Sequence, residues 1–511
     1  MISSPDPNSV FSEDIIEQTL DPENWEDLKS LGHQMLDDMF DFLQNVRERP
    51  VWQPVPAEVK QKLKAPLPLA AEAAGDVYEE FKELILPYPT GNIHPRFWGW
   101  VMGTGSPYAM LADMLASGMN SHVAGYDQSA AYVEEQVIRW LAELLGFPAT
   151  SSGVLASGGT VANLLGLAVA RNVKAGFDVR AEGLQQPAVT RAELVVYCST
   201  ETHSWAQKAV ELMGLGDKSL KRISVDALYK INLAELEETI RRDKAQGKNP
   251  ICVIGNAGTV NTGAIDDLEG LARICRQEGL WFHVDGAIGA LVKLTPSQAG
   301  LVSGLELADS LAFDLHKWLY MPYEAGCILV RDRTAHQSAF SITPSYLTAL
   351  NRGIAAQPLE FAARGVDLSR SFKALKIWFS LKVHGIDLFG QLIEQNIRQA
   401  AYLKQLIEQE HLLELLAPVE LSIVCFRFNP SSQESLDAQL LDRLNQEILL
   451  RLQESGKAVP SGTRIQGRFA IRVAITNHRS RKEDFELLCQ LVVNYGQELL
   501  ADSKFLEEGN G

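Results

Sequence analysis

The 511-residue chain holds six cysteines (Cys198, Cys252, Cys275, Cys327, Cys425 and Cys489), and no two of them form a CxxC pair. That scatter excludes a zinc-finger type framework and a disulfide scaffold; it predicts idle thiols and no metal site. Long apolar runs are missing too. The stretch LLGLAVA at 164–170 falls far short of the roughly 18 residues a membrane helix needs, so no span is expected. The opening residues, MISSPDPNSVFSEDIIEQ, have neither the basic start nor the apolar block of a secretory leader, which makes the cytoplasm the expected location. Basic charge is in deficit, with 47 Lys and Arg against 64 Asp and Glu and a formal net charge of −17. A surface of that sign repels a phosphate backbone, so nucleic acid is not an expected partner. No GxxxxGK[ST] loop occurs, and there is no internal repeat or low-complexity tract.

What is present is enough apolar material, 46% of residues, for a large core built from several structural units. Residues 21–48 carry Trp25, Leu28, Leu31, Met35, Met39 and Leu43 at helical spacing, followed by a proline-punctuated stretch from Pro50 to Pro68. These predict a helical arm and an extended segment. Between about 130 and 330 the pattern alternates. Helices are expected at 132–145, 160–174, 205–213 and 267–278, and strands at 193–198, 250–255, 280–284, 309–313 and 326–330. Alternation of this kind predicts a mainly parallel sheet with helices on both faces. A long helix at 372–405 then leads to strand 420–428, helix 436–455, strand 469–475 and helix 481–501, a small α+β unit.

In an open α/β sheet, ligands sit at the carboxyl ends of the strands, so polar residues there are examined first. The strand LWFHVD ends in Asp285, followed by Gly286 and Ala287. A carboxylate beside small residues can face a flat ring, although an isolated VDG also reads as a turn or a helix cap. Thirty-two positions later DSLAFDLHKW ends a strand with His316 and Lys317. A lysine there is unusual, because burying an ammonium costs about several kcal/mol unless it is paired or neutralised. Alone it would read as a surface lysine; with Asp285 it suggests pyridoxal phosphate (PLP), whose aldehyde forms a Schiff base with lysine and whose ring nitrogen stays protonated beside an aspartate. That cationic ring accepts the electrons released when a carboxylate leaves.

In GVLASGGTVANLLGLAVAR (153–171) a strand-like start meets Ser157-Gly158-Gly159-Thr160 and then an unbroken helical pattern, where glycine backbone and free N–H groups suit a phosphate, though ordinary helix capping explains the same residues. His203, in STETHSW, follows a strand and could stack on a ring, or be structural. Thr259 and Asp266, in NAGTVNTGAIDD, occupy a similar loop and also read as turn residues.

Together these segments resemble the group II PLP-dependent amino-acid decarboxylases, which include aromatic-L-amino-acid, tyrosine, histidine, glutamate and cysteine-sulfinate decarboxylases. The resemblance spans nearly the whole chain through HPRFWGW (94–100), YAMLADML (108–115), ASGGTVAN (156–163), THSW (202–205), HVDGA (283–287), DLHKWLY (314–320) and SFKALKIW (371–378), in order. It implies PLP-dependent transferase fold type I, with an N-terminal helical arm (1–105) wrapping a partner, a large PLP-binding domain (106–375), a small C-terminal domain (376–511) and a homodimer. It implies that Lys317 carries PLP and Asp285 meets the ring nitrogen. Ala287 and His203 would lie on the two ring faces, and Gly159, Thr160, Asp314 and His316 would hold the phosphate, with Thr259 also at the cofactor. In SITPSYLTALNRG (341–353), Tyr346 falls where the family carries a proton-donating tyrosine on a mobile loop. Relatives with phenylalanine there tend toward aldehyde formation, so Tyr346 implies amine production.

The substrate is read from two opposed signals. Phe97-Trp98-Gly99-Trp100 is similar to the aromatic-rich segment of aromatic decarboxylases, and Trp98 with Trp100 would suit a flat apolar side chain. Arg472, in RFAIRVAITNHR, falls where glutamate-type relatives place an arginine that clamps a second carboxylate; it also reads as an ordinary strand arginine. Val101-Met102 departs from the aromatic decarboxylase pattern. An aromatic L-amino acid is expected, with an acidic one (glutamate, aspartate or cysteine sulfinate) as the alternative. A PLP aminotransferase and a non-catalytic PLP fold are the remaining readings.

Overall fold

The computed structural model describes residues 18–184, 191–342, 352–355, 360–430 and 436–507. Its larger sheet has seven strands: β1 (Ser152–Ala156), β2 (Leu194–Ser199), β3 (Leu220–Ile223), β4 (Asn249–Asn256), β5 (Trp281–Asp285), β6 (Ser310–Asp314) and β7 (Gly326–Val330). They lie in the order β1-β7-β6-β5-β4-β2-β3. Neighbours run parallel from β3 through β6, and only β7 opposes both of its neighbours. Every residue of β1, β2, β5, β6 and β7 is buried. Strands covered on both faces read as continuous apolar runs instead of alternating ones, which is why the sequence marks them so clearly. The architecture is the expected α/β class with a mainly parallel sheet.

The smaller sheet is antiparallel and comprises β8 (Leu413–Leu415), β9 (Ile423–Phe428), β10 (Ser461–Ile465) and β11 (Arg468–Ala474), ordered β10-β11-β9-β8. Helices Ala438–Glu454 and Lys482–Ala501 cover it, and Val424, Phe426, Leu444, Ile448, Ile471 and Leu488 form a second core separate from that of the large sheet. β3, β8 and β10 were not expected. Each is only three to five residues long, and β10 alternates buried and exposed positions with a glycine inside it, so neither length nor apolarity announces a strand. The single helix expected at 372–405 is two, Ala374–His384 and Ile386–Gln409, parted at Gly385, whose φ of +70° lies in the left-handed region that ends helices.

The arm is a helix, Trp25–Gln44, capped by the Asn24 side chain on Glu26 N–H. None of its residues is buried, and of the apolar stripe read from the sequence Trp25, Leu28 and Met35 are exposed. Among the described residues no helix is long and apolar enough to cross a membrane.

Residues 94–105 run between the two sheets and are held from both sides. Trp98 N–H donates to Val459 O at 2.8 Å and Ala474 N–H to Trp98 O at 3.0 Å, while Thr476 Oγ1 donates to Met102 O at 2.9 Å. On the other side Gly103 backs onto the lysine turn so closely that a Cβ there would sit 1.4 Å from His316 O. Gly103→Ala should therefore force the two backbones apart and lower stability by about 1–3 kcal/mol, the range for an overpacked core, read as a lowered midpoint of urea unfolding.

Candidate active site

Because β2, β4, β5 and β6 are parallel, the residues after them gather at one edge of the sheet. A cavity of about 570 Å³ opens there. It is lined by Gly159 and Thr160, His203, Thr259, Asp285 and Ala287, and Asp314, His316 and Lys317. The small unit contributes Ser461, Gly462, Thr463 and Arg472, and the 94–105 segment contributes Trp100 and Val101. Eleven of the thirteen expected site residues thus meet at one cavity. Tyr346 lies outside the described residues.

Trp98 is the exception, and the expectation that it lines the pocket is corrected. Its ring is 1% exposed, stacks on Phe485 at 5.2 Å in the small unit's core and donates from Nε1 to Ser480 Oγ at 3.2 Å. Residues two apart in a regular extended segment share a side, so the parting of the two tryptophans reflects a departure from extended backbone, and of the two only Trp100 reaches the cavity. Trp100 holds a left-handed φ of +53°, a costly conformation for a bulky residue. Its N–H donates to Ser461 Oγ at 3.1 Å, and its carbonyl accepts from Arg472 Nη1 at 2.8 Å.

Arg472 is 4% exposed and borders the cavity, yet its guanidinium is largely committed. Nε donates to Asn261 O at 3.2 Å, Nη1 to Trp100 O and to Ser461 Oγ, and Nη2 to Val260 O. Four of the five available N–H directions are spoken for, and none goes to a carboxylate. Arg472 ties the 94–105 segment, the loop after β4 and β11 together.

Lys317 Nζ lies 2.8 Å from Asp314 Oδ2. The other oxygen, Asp314 Oδ1, is buried without a hydrogen-bond partner. A Cβ on Gly159 would come within 2.9 Å of Asp314 Oδ2 and 3.4 Å of Ala287 Cβ, so the helix Gly159–Lys174 begins against the lysine turn with no side chain between. His316 Nδ1 lies 2.9 Å from Ala325 O, and burial lowers the imidazole's pKa, the Asp314 charge opposing that shift. His203 is shifted the same way, mainly by burial. Its Nδ1 accepts from Trp205 N–H at 3.2 Å, which leaves Nε2 to carry the proton of the neutral ring. The Thr259 hydroxyl is used within its own turn, 3.1 Å from Thr262 Oγ1 and accepting from Ala264 N–H at 3.1 Å. Asp266 is structural: it accepts from Ile231 N–H and from Asn256 N–H and Nδ2, and burial raises its pKa to about 6.

An apolar-backed cavity with a helix N-terminus free of side chains, an orphaned buried oxygen on Asp314, a lysine paired with the same carboxylate and a second buried aspartate fits PLP. The profile of the pyridoxal-dependent decarboxylase conserved domain matches residues 56–429. The chain belongs to the pyridoxal-dependent decarboxylase family. It is 32% identical over 464 residues to an aromatic-L-amino-acid decarboxylase of Bacillus atrophaeus, covering 90% of this chain and 93% of that protein. A phenylacetaldehyde synthase of Arabidopsis thaliana is 28% identical over 483 residues, 92% of this chain and 97% of that one. The crystal structure of Oryza sativa TDC with PLP and tryptamine superposes with a TM-score of 0.86 at 25% identity, covering 94% of this chain and all of that one. The enzyme is thus a PLP-dependent amino-acid decarboxylase.

Beneath the cavity of this decarboxylase runs a buried polar chain that sequence reasoning did not find. His283 is fully buried between Ser310 Oγ and Asn163 Oδ1, each at 2.7 Å, and Asn163 Nδ2 donates to Gly159 O at 2.8 Å. The only sequence signal was a histidine inside an apolar strand. Burial lowers the His283 pKa from 6.5 to about 3. Below pH 6.5 the unfolded chain takes up a proton that folded His283 refuses, so the stability contributed by the neutral ring is whole above that pH and is lost as pH falls toward 3. Each pH unit inside that window should cost about 1.4 kcal/mol. His94, His336 and His478 are lowered by burial too and add to the loss, so the His283 share is read as a difference: in urea unfolding from pH 6.5 to 5, His283→Gln should reduce the slope by about one proton; an unchanged slope would mean His283 does not titrate this way.

Proposed function

We propose that the enzyme decarboxylates an aromatic L-amino acid to the corresponding amine and CO2. The observation that carries the reading is the pairing of Trp100 with Arg472. The cavity wall offers a large indole, 54% exposed in the single chain, and the nearby arginine is occupied by main-chain carbonyls and a serine hydroxyl. A flat apolar side chain gains from burial against that indole, whereas a second carboxylate would find its natural partner already bonded. The relative from Bacillus atrophaeus and the structure holding tryptamine support the same substrate class.

Bound PLP supplies an aldehyde for the substrate amine and a ring that draws electrons from the bond to the carboxylate. Lys317 is the residue that holds it, Asp285 keeps the ring nitrogen protonated, and His203 and Ala287 bracket the ring. Gly159, Thr160, Asp314 and His316 form the phosphate end, with Thr259 at the edge. Trp100 orients the substrate side chain, and Tyr346 returns a proton to Cα. Residues 1–105 form an arm that wraps a second copy of the chain in the cytoplasm, a reading supported by the exposed Trp25, Leu28, Met35 and Phe40 of the arm helix. Residues 106–375 and 376–511 form the large and small domains.

A panel of amino acids scored by amine and CO2 should show kcat/KM at least about tenfold higher for tryptophan, tyrosine or DOPA than for glutamate, aspartate or cysteine sulfinate, the ratio that about 1.4 kcal/mol of side-chain recognition yields. The reverse order, abolished by Arg472→Ala, would establish the acidic substrate instead. Tyr346→Phe should cut amine formation by about 100-fold or more, the contribution of a positioned proton donor, with aldehyde as the competing product. Undiminished amine would remove Tyr346 from the reaction.

A further inference from the structure

Trp205 is the first residue of the helix Trp205–Leu212, 2% exposed, and borders the cavity. Its indole Nε1 donates to Asp285 Oδ2 at 2.6 Å. The other oxygen of that carboxylate accepts from Ala287 N–H at 3.1 Å. Trp205 also donates its main-chain N–H to His203 Nδ1 at 3.2 Å. One residue therefore holds both Asp285 and His203. The ring itself is fixed: it meets His283 edge-on with centroids 5.7 Å apart, and His283 is pinned by Ser310 and Asn163. Among the described residues the other bonded indoles, those of Trp98, Trp281, Trp318 and Trp378, donate to neutral oxygens; Trp205 alone donates to a carboxylate.

We infer that Trp205 is a positioning residue for the cofactor, orienting Asp285 toward the ring nitrogen. A buried carboxylate with a single donor would rotate about its terminal torsion and point its oxygens away from the ring. The short bond from a rigid, fully enclosed indole to the second oxygen removes that freedom. This inference rests on the reading that Asp285 meets the ring nitrogen.

The test is Trp205→Phe, which keeps an aromatic ring against His283 and removes only the donor. With PLP at saturation kcat should fall about tenfold or more while KM for the substrate changes little, and PLP should bind the apoprotein about tenfold more weakly, as expected when a hydrogen bond to a charged group is lost. Asp285→Ala and the double variant complete a cycle on PLP affinity. Donation acting through Asp285 predicts that the Trp205 effect disappears in the Asp285→Ala background. An equal loss in both backgrounds, or native affinity and kcat in Trp205→Phe, overturns the inference. Native PLP affinity in Asp285→Ala overturns instead the reading of Asp285 on which it rests. If the phenylalanine variant does not fold, the unaltered protein carrying 15N-indole tryptophan serves. One of its nine indole N–H signals should lie downfield of the rest and move when PLP is added to the apoprotein; the absence of such a signal overturns the inference equally.

Discussion

The cavity depends on main chains approaching one another more closely than any side chain would allow. The helix Gly159–Lys174 starts directly against the Asp314 carboxylate, and Gly103 lies against the carbonyl of His316. A methyl group at either glycine would meet an atom well inside contact distance. These approaches bring three separate stretches of chain, the helix start, the lysine turn and the 94–105 segment, to one place. Lys317 and Asp314 can then border a single cavity with Trp100, which lies more than 200 residues earlier in the chain. Relaxing one contact would shift the others, since each stretch is held by the next.

A second feature is how little free charge the site floor contains. His283 and His203 are held neutral by burial, and the links joining Ser310, His283, Asn163 and Gly159 are hydrogen bonds between uncharged groups. A neutral, fully satisfied network in a dry interior fixes geometry without a competing field. Arg472 follows the same logic at the opposite wall. Its cation is directed at main-chain oxygens and stabilises the left-handed turn at Trp100, so its charge shapes the pocket more than it recruits a ligand.

The cavity is also a junction. The large sheet supplies the candidate cofactor residues, while β10 and β11 of the small sheet and the 94–105 segment supply the opposite wall. Separating the two tasks lets the wall change without moving the residues of the large sheet.

The sequence alone determined the buried strands, because strands covered on both faces must be apolar throughout, and it determined the candidate cofactor residues, because Asp285, His203 and Lys317 fall at strand ends that a parallel sheet gathers at one edge. It left short edge strands such as β3 and β10 unmarked, since half-exposed strands of a few residues carry no distinctive pattern. It could not separate Trp98 from Trp100, because residues two apart in a regular extended segment share a side, and the left-handed turn at Trp100 that parts them is held by Ser461 and Arg472 from far along the chain. Nor could it tell whether Arg472 was free, or that the Trp205 indole reaches Asp285 across 80 residues. Those facts depend on which distant groups meet a donor, and hydrogen-bond partners that far apart in the chain are chosen by tertiary packing.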